Sequence, residues 1–510
     1  MMPALALIPI LSLLVCLIFI KLSVAKSGAI ALVLALVIAL GFFGLEFFGL
    51  AVAVGKSLSV ALFVSLIVWC ALFLYHLVDD FNAIDVINKN ILIFVEEKFV
   101  LFLMLAWLFT GLLQGMAGFG VPVVIVTPIL IALGFDKVKS LSAALLGHSW
   151  AITFGSMGAA FFITNMITGV PYEQLGIPMW IFNTIAHLMT GIGVCFLYDG
   201  ARGIRKGLLY VLPVSAVMTV VQYFSIILGM YSLAGINPAL AGLVTIFILY
   251  KIRSKAKISG TLYSSNLNLI QAVLPYAVIL ILSITFQFFP DALRDISLSF
   301  NFPGTQTALG HVVSPEVNYA RIRLFGHPAL VLLLAAAVAM FIYKRAGVWD
   351  SSVFRASVKK TAKKGVPATI ALLCLGSMSL IMMDSGMMYQ LARSVANMTG
   401  RLYPVFAPFF GVLASFLTGN NTNSNILFGA FQYTIAEHLG VSGAVMASVQ
   451  SISGAVGVSI GPTIILMGAL ASDQSGQESL ILKKLIPIVL TIALAMGIVN
   501  LILLEVVRFG

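Results

Sequence analysis

The chain has 510 residues, of which 61% are hydrophobic and only 9% are charged. Soluble globular domains carry about 25% charged and roughly 45–50% apolar residues, so this composition excludes a soluble fold and requires lipid as the solvent for much of the surface. The formal net charge of +11 comes from residues between apolar runs, and it therefore indicates membrane topology rather than nucleic-acid binding.

Apolar runs that are long enough to cross about 30 Å of hydrocarbon follow one another along the whole chain. Clear spans are predicted at 3–20, 28–45, 57–75, 99–117, 141–163, 178–198, 208–230, 235–250, 268–289, 327–343, 365–383 and 485–504. Three further apolar stretches, 121–134, 404–418 and 423–440, are short or interrupted. The prediction is an all-α polytopic membrane protein with about 12–14 transmembrane segments, and the solid apolar runs exclude an outer-membrane barrel.

The charged residues between the spans are distributed one-sidedly. Basic residues recur near 21–26, 202–206, 251–257 and 344–364, and alternate counting places these loops on the cytoplasmic side of a cell membrane, with the N-terminus outside. Residues 1–20 lack a basic start and a cleavage site, so we expect them to remain as a first helix. Segment 79–98 is predicted to be an interfacial helix. Segments 290–325 and 344–364 are predicted to be polar loops: the first lies on the opposite face and is irregular at its turn-rich stretch 301–305, and the second is an amphipathic connector.

Two regions about 300 residues apart show the same order of features. In the first, a glycine-rich break at 115–122 leads into a short apolar segment ending at Gly134, and a second break follows over 147–158. In the second, the polar run 418–425 leads into a segment ending at Gly440, and a second break follows at 451–454 and continues to 462. Paired interrupted segments indicate two inverted repeats with re-entrant or broken helices, the usual place of a transporter site. Ordinary kinks and helix-packing glycines are the alternative interpretation.

The strongest single signal is the run 418–425, which holds four asparagines, two threonines and one serine between apolar stretches. So many amides and hydroxyls at membrane depth are costly unless they bind a ligand or each other. The flanking stretches 404–417 and 426–439 are too short for comfortable spans, which predicts a re-entrant hairpin with its tip inside the membrane. Helix N-termini at such a tip provide N–H groups and a positive dipole end that suit a carboxylate.

His148 is the candidate for coupling transport to a proton. It lies in the middle of a predicted span beside Gly147 and Ser149, within the second break of the first region. Histidine changes its charge near neutral pH, and ionisable groups inside a membrane are usually functional. A neutral ring that only hydrogen-bonds across helices is the competing interpretation.

No enzyme signature is present in the sequence. There is no His-Glu-x-x-His, no phosphate-binding glycine loop and no cysteine pair, so we expect no cofactor, no metal site and no ATP-driven transport. A secondary transporter remains. The rivals from other classes are a non-transporting membrane sensor or receptor, which would be expected to carry a soluble signalling domain, and a membrane-embedded enzyme, which would need clustered ligands.

Several of these stretches also resemble the lactate permease family. The segment Gly118-Phe119-Gly120-Val121-Pro122-Val123 and the segment Phe154-Gly155-Ser156-Met157-Gly158 match its first signature, and 417–429 matches its second. The resemblance runs over nearly the whole chain. It implies proton symport of lactate, glycolate or a related 2-hydroxy acid, inverted repeats with re-entrant hairpins, and an elevator motion.

The chain departs from the family pattern at three positions. The family commonly has an acidic residue where Asn421 stands, a lysine where Val458 stands and an asparagine where His148 stands. Loss of the acid and the lysine together is either a neutral exchange of one ion pair or the mark of a different substrate or coupling ion. A sodium-coupled organic-anion carrier therefore stays open beside the proton symporter, since hydroxyls and unwound carbonyls also suit Na⁺.

The sequence thus predicts four segments: scaffold helices at 1–98, a first transport repeat at 99–200, further scaffold at 201–383, and a second transport repeat with the final helix at 384–510. We expect the partners to be a small organic anion, a proton or sodium ion and the lipid bilayer, with a homodimer as an option and no nucleic acid. His148 is the predicted coupling residue. The predicted substrate-binding residues are Gly118, Phe119, Gly120, Pro122, Ser149, Thr418, Asn420, Asn421, Thr422, Asn423, Ser424, Asn425, Ser453 and Gly454.

Overall fold

The computed structural model describes residues 2–20, 22–116, 118, 120–254, 266–287, 289–290, 293, 295–474 and 476–509. Most of these residues are helical. The helices are α1 (Met2–Ile18), α2 (Val24–Phe42), α3 (Phe47–Asp80), α4 (Ala83–Phe94), α5 (Lys98–Met116), α6 (Val121–Ala132), α7 (Lys137–Gly147), α8 (Gly155–Thr168), α9 (Tyr172–Ile227), α10 (Ile236–Ser254), α11 (Leu269–Gln287), α12 (Pro328–Arg345), α13 (Ser351–Asp384), α14 (Met387–Thr399), α15 (Tyr403–Thr418), α16 (Asn421–Leu439), α17 (Gly443–Gly457), α18 (Pro462–Ala471) and α19 (Glu478–Phe509).

The number of spans agrees with the predicted range. Within the described ranges, 11 helices are long and apolar enough to cross a membrane, and the bent pair α7–α8 brings the number to 12. In addition, α9 folds back on itself where Asp199 and Gly200 leave the helical conformation. Its two halves are antiparallel, because the amide of Asn183 donates to Gln222 Oε1 at 3.1 Å across them. The chain is therefore a multi-pass helical membrane protein.

Two predictions about the connecting segments are wrong. The charged segment 344–364 is mostly helix, because Asp350 accepts a hydrogen bond from Ser352 N at 2.6 Å and thereby starts α13 at Ser351. A helix of 34 residues is about 51 Å long, so its charged first turns extend beyond the hydrocarbon. The segment 290–325 is not wholly irregular, since it contains two antiparallel strand pairs: β1 (Ser297–Phe302) with β4 (Glu316–Arg323), and β2 (Thr305–Gln306) with β3 (Val312–Val313).

The strands identify one face of the molecule, which we call the strand face. Ala308 N donates to Gly44 O at 2.8 Å, and Tyr319 Oη donates to Met166 O at 3.2 Å, so the strands lie over the ends of α2 and α8. The opposite end carries the basic loops, and we call it the basic face. There the Lys206 ammonium pairs with Glu97.

The two regions with breaks fold in the same order of elements. α5, α6, α7 and α8 correspond to α15, α16, α17 and α18, and a short 3-10 turn follows both α7 and α17 (Ser149–Ala151 and Val458–Ile460). The third helix of each set begins at a side-chain cap. Asp136 Oδ1 accepts a hydrogen bond from Lys139 N, and Ser442 Oγ accepts one from Val445 N. In each set the third helix packs closely on the first: a Cβ at Gly147 would lie 1.8 Å from Ala106 O.

The two sets also contact each other in a reciprocal way. α8 of the first set packs on α16 of the second, and α18 of the second packs on α6 of the first. Helices α1, α2, α3, α12 and α13 form a separate group beside them. The predicted pairing of interrupted regions is therefore present as two similar units that meet at their breaks.

Candidate substrate-binding site

α15 and α16 form a helical hairpin whose tip consists of Gly419 and Asn420. The hydroxyl of Tyr403 donates to Gln432 Oε1 at 2.8 Å, and the Gln432 amide donates to Ala407 O at 3.0 Å, so the two helices are antiparallel along their length. The chain reverses at Gly419 because its φ of 64° is left-handed, a conformation that glycine adopts without strain. The predicted hairpin with a polar tip between 404 and 440 is therefore observed.

The tip caps its own helix. Asn420 Oδ1 accepts hydrogen bonds from the backbone N–H groups of Thr422 at 2.7 Å and of Asn423 at 3.4 Å. These two N–H groups are therefore occupied, and the expectation that they lie free for a carboxylate is wrong. An asparagine at the N-cap position provides the acceptor that helix N-termini require. Ligand donors at the tip must come from side chains instead.

The side chains of the polar run divide between two faces of α16. Asn421, Ser424 and Asn425 follow an i, i+3, i+4 spacing and point into the protein. The amide nitrogen of Asn421 donates to Thr153 Oγ1 at 3.2 Å, and that of Asn425 donates to Thr164 Oγ1 at 2.9 Å. This face, which we call the packed face, therefore joins the second unit to the first, and Asn421 also lines the central cavity described below.

The other face of the run, formed by Asn420, Thr422 and Asn423, lines two cavities, and we call it the cavity face. Asn420 and Thr422 line a central cavity of about 30 Å³, and together with Asn423 they also line a neighbouring cavity of about 210 Å³. Their side-chain donor groups make no hydrogen bond with any residue in the described ranges. The three side chains therefore offer amide and hydroxyl donors to a ligand in these cavities.

The remaining predicted residues of the second unit have structural contacts. The Thr418 hydroxyl donates to Ala414 O at 2.8 Å and the Ser453 hydroxyl to Gln450 O at 3.3 Å. The second break was predicted at 451–454 with a continuation to 462; Gly454 lies inside α17, and only the continuation at 458–461 leaves the α-helix. A Cβ at Gly454 would lie 2.4 Å from the Asn421 amide oxygen, so this glycine makes room for the packed face of the tip.

In the first unit the break falls where it was predicted. α5 ends at Met116, Gly120 is left-handed with φ 78°, and α6 restarts at Val121 with Pro122 in its first turn. Phe119 lies outside the described residues. Gly118 is close to Ser156, whose Oγ is 2.0 Å from the position of a Cβ on that glycine. Of the predicted residues in this break, Gly120 lines the central cavity.

A strained turn lies at the start of α8. Ser156, Met157 and Gly158 all have positive φ (47°, 53° and 88°), although two of them carry side chains. A left-handed residue with a Cβ costs roughly 1–2 kcal/mol, so the surrounding structure must enforce this turn. The turn separates neighbouring side chains: Ser156 lines the central cavity, and Met157 lines a different cavity on the strand face.

His148 lies in the wall of the central cavity and is 1% exposed. Its Nδ1 lies 3.0 Å from Ala144 O, and because a carbonyl only accepts, Nδ1 must carry the proton. In the neutral ring Nε2 is then an acceptor. Among the described residues that line this cavity, His148 is the only one with an ionisable side chain. The hydroxyl of the neighbouring Ser149 donates a hydrogen bond to Leu146 O at 2.7 Å.

Sequence reasoning missed several polar residues around the site. Gln114 lines the central cavity from α5, and Thr153 hydrogen-bonds the packed face of the tip. Lys56 on α3 is 1% exposed and pairs with Asp384 at 3.4 Å and with Glu316 at 2.8 Å. A single lysine just before the predicted span at 57–75 was the available signal for this buried ion cluster.

The chain resembles known proteins over most of its length. The sequence profile described as L-lactate permease matches residues 3–507. The glycolate permease GlcA of Escherichia coli K12 is 25% identical over 97% of this chain and 94% of its own length. The L-lactate permease of the same organism is 25% identical over 92% of this chain and 90% of its own.

A solved structure shares the fold. The chain aligns with Neisseria gonorrhoeae MtrF, described as illuminating a class of antimetabolite efflux pumps, with a TM-score of 0.51 and 12% identity over 95% of this chain and 96% of MtrF. The profile match covers almost every residue, and it includes both breaks and the polar hairpin tip. This multi-pass helical protein therefore belongs to the L-lactate permease family and is a transporter rather than an enzyme.

Proposed function

We propose that the protein imports a small 2-hydroxy monocarboxylate such as lactate by proton symport. The observation that carries the proposal is the set of three tip side chains, Asn420, Thr422 and Asn423, whose donors are unused and which line the two adjoining cavities. An ionised carboxylate only accepts hydrogen bonds, and amide and hydroxyl donors bind it without placing a fixed charge in lipid.

The size of the cavities is consistent with a substrate between the two groups of helices. The central cavity of about 30 Å³ has the volume of one water molecule, whereas the adjoining one of about 210 Å³ has room for a small organic acid. The larger cavity lies between the tip and the separate group, including Val64 of α3 and Pro367 of α13. The substrate carboxylate would therefore bind the tip while its body contacts the scaffold.

An inverted relation of the two units supports alternating access. In the first unit α5 and α6 form the corresponding hairpin. Its open end lies at the basic face, since the ring of Phe135 after α6 packs on Phe102 and on Tyr198 next to the α9 bend. The second opens toward the strand face, because His438 at the end of α16 packs on Tyr389 and Tyr389 packs on His311. Hairpins that open to opposite faces are typical of inverted repeats.

We infer a moving body that contains the two units and a scaffold that contains α1–α3, α12 and α13, which is the arrangement of an elevator transporter. The helices after the α9 bend pack on the first unit, so residues 201–254 join the moving body rather than the scaffold expected from sequence. The basic face would be cytoplasmic, the strand face external and the N-terminus outside the cell membrane, because short basic loops stay on the cytoplasmic side.

His148 is the proposed proton carrier. Import of an anion against a negative-inside potential is uphill by about 2.3 kcal/mol per 100 mV, so a co-transported cation must compensate. His148 can accept a proton at Nε2 because Nδ1 is already protonated against Ala144 O. Its place in the wall that Asn420 and Thr422 share puts that proton beside the proposed carboxylate site.

Sodium coupling is the second candidate. The amide oxygens of Asn421 and Asn425 and the hydroxyl of Ser415 are buried, and none has a hydrogen-bond partner among the described residues. These neutral oxygens are ligands that suit a sodium ion. Asn421 and Asn425 lie on the packed face of α16, and Ser415 lies on α15 near Asn421, since both approach the Cβ position of Gly454.

Uptake of labelled L-lactate into proteoliposomes that contain the purified full-length protein tests the function. We expect accumulation when the outside is acidic, no accumulation from a sodium gradient alone, and none in protein-free vesicles. Accumulation on sodium alone would reassign the coupling ion to the packed face. Absence of lactate and glycolate uptake under both gradients would overturn the transport proposal itself.

A further inference from the structure

A cavity with a volume of about 600 Å³ lies on the strand face. It lies between the ends of α8 and α9 on one side and α3, β4 and the start of α12 on the other. Ligand pockets typically measure about 300–1,000 Å³, so this space suits a molecule much larger than lactate. Its floor is Met157, whose chain neighbour Ser156 lines the central cavity.

Some of the charged side chains that line this cavity form ion pairs and others do not. Glu316 is held by Lys56 at 2.8 Å, and Arg321 is held by Asp295 at 3.3 Å and by the Ser297 hydroxyl at 2.8 Å. Arg323 lines the same cavity from the end of β4, and it forms no ion pair with any of the residues that the structure describes. Its guanidinium is thus the cation of the lining that is available to a ligand.

One acidic group also remains in the lining. Glu173 lies in the first turn of α9 and forms no ion pair with a described residue. A carboxylate in this position is stabilised by the positive end of the helix by about 0.3–1 kcal/mol. Arg323 lies on a strand end without such stabilisation, so it is the charged group of the lining that an anionic ligand would meet.

Several aromatic rings also line this cavity, among them Phe162, Tyr172 and Tyr231. The ring of Tyr231 stacks on Phe161 at 4.7 Å and lies 5.8 Å from Tyr172, and Phe162 lies 5.6 Å from Tyr172. Such a cluster binds flat apolar groups, because aromatic pairs prefer stacked and edge-on contacts at 4.5–7 Å. An arginine at the mouth and rings in the wall together select a carboxylate that carries an aryl group.

We propose that this cavity is a second, external site for aryl carboxylates, with Arg323 as the carboxylate-binding group. A ligand of this class binds among the residues on the strand-face side of Met157 and does not reach the hairpin tip, which lines other cavities. The choice of a carboxylate rests on the proposed function, whereas the location and the cationic group rest on the cavity itself.

Mandelate is the probe, since it is a 2-hydroxy acid with a phenyl ring. Its binding to the purified full-length protein in detergent is measured by calorimetry for the wild type, Arg323→Glu, Arg401→Glu and Asn423→Ala. We expect Arg323→Glu to weaken binding about tenfold or more, because it replaces an attraction with a repulsion. Arg401→Glu, the same change at an exposed arginine outside the cavity lining, and Asn423→Ala at the tip should leave the affinity unchanged.

Phenylglycine distinguishes an anion site from a zwitterion site, because it replaces the hydroxyl of mandelate with an ammonium group. We expect it to bind more weakly than mandelate. Tighter binding of phenylglycine, or equal mandelate affinity in Arg323→Glu and wild type, would overturn the proposal. Loss of mandelate binding in Asn423→Ala would assign the ligand to the tip instead. Since binding is measured without transport, a failure of lactate uptake does not affect this result.

Discussion

Two asparagines in the polar run of α16, Asn423 and Asn425, should have different effects when replaced: one on substrate affinity and the other on stability. The Asn425 amide nitrogen lies 3.1 Å from Ala160 O, 2.9 Å from Thr164 Oγ1 and 2.8 Å from Ser451 Oγ, and its two hydrogens make two of these bonds at a time. Interhelical side-chain hydrogen bonds in membrane proteins contribute about 0.6 kcal/mol each on average, so the loss of two lowers the free energy of unfolding by about 1 kcal/mol. Asn425→Ala should therefore reduce thermal stability.

Asn423→Ala should instead reduce substrate affinity. The Asn423 side chain makes no hydrogen bond with described residues, and a substitution without lost contacts changes stability by about 0.5 kcal/mol or less. Loss of one hydrogen bond to a charged ligand costs about 1.5–3 kcal/mol, which weakens binding about ten- to a hundredfold.

The assay combines thermal unfolding of the purified protein with the concentration dependence of lactate exchange in proteoliposomes. Asn397→Ala, at an exposed position of α14, is the matched control and should match the wild type in both. Wild-type affinity in Asn423→Ala would refute the assignment of the cavity face, and wild-type stability in Asn425→Ala would refute that of the packed face.

Three further predictions follow from other parts of the site. His148→Ala should lose accumulation driven by a pH gradient yet keep exchange of labelled substrate, and accumulation that persists in this variant would make the ring structural. Gly454→Ala should reduce stability by about 1–3 kcal/mol through overpacking against the tip, whereas Gly41→Ala, with no atom within 4 Å of the added Cβ, should not; equal melting temperatures would contradict the packing argument. Lys56→Met should destabilise the protein by about 3–5 kcal/mol because buried Asp384 loses its cation, and adding Asp384→Asn should recover much of that loss. No recovery in the double variant would mean that Lys56 acts through other contacts.

The architecture could be predicted because lipid imposes a simple rule on sequence. Long apolar runs become spans, and the breaks at 118–122 and 418–421 were visible because glycine and asparagine interrupt those runs. The segment 344–364 was misassigned because hydropathy marks where a helix leaves the membrane, not where it ends. The strands at 297–323 were missed because they are short and exposed, and their register depends on contacts with α2 and α3.

The site was predicted at the level of the segment but not of the side chain. The seven polar positions of the run 418–425 appear equivalent in the sequence, yet helix periodicity turns Asn421, Ser424 and Asn425 toward α8 and α17. The N-cap role of Asn420 depends on the backbone conformation at the turn. Gly454 was predicted to lie in a break because glycine is typical of helix breaks. In the structure it lies within a helix, where the absence of a side chain leaves room for the Asn421 amide.

The location of the bound substrate tests the central claim most directly. A cryo-electron microscopy structure of the full-length protein in saturating L-lactate should show the carboxylate within hydrogen-bond distance of Asn420, Thr422 or Asn423, in the space between the hairpin tip and Pro367. Lactate bound only elsewhere, with these three side chains unchanged and without ligand contacts, would contradict the account.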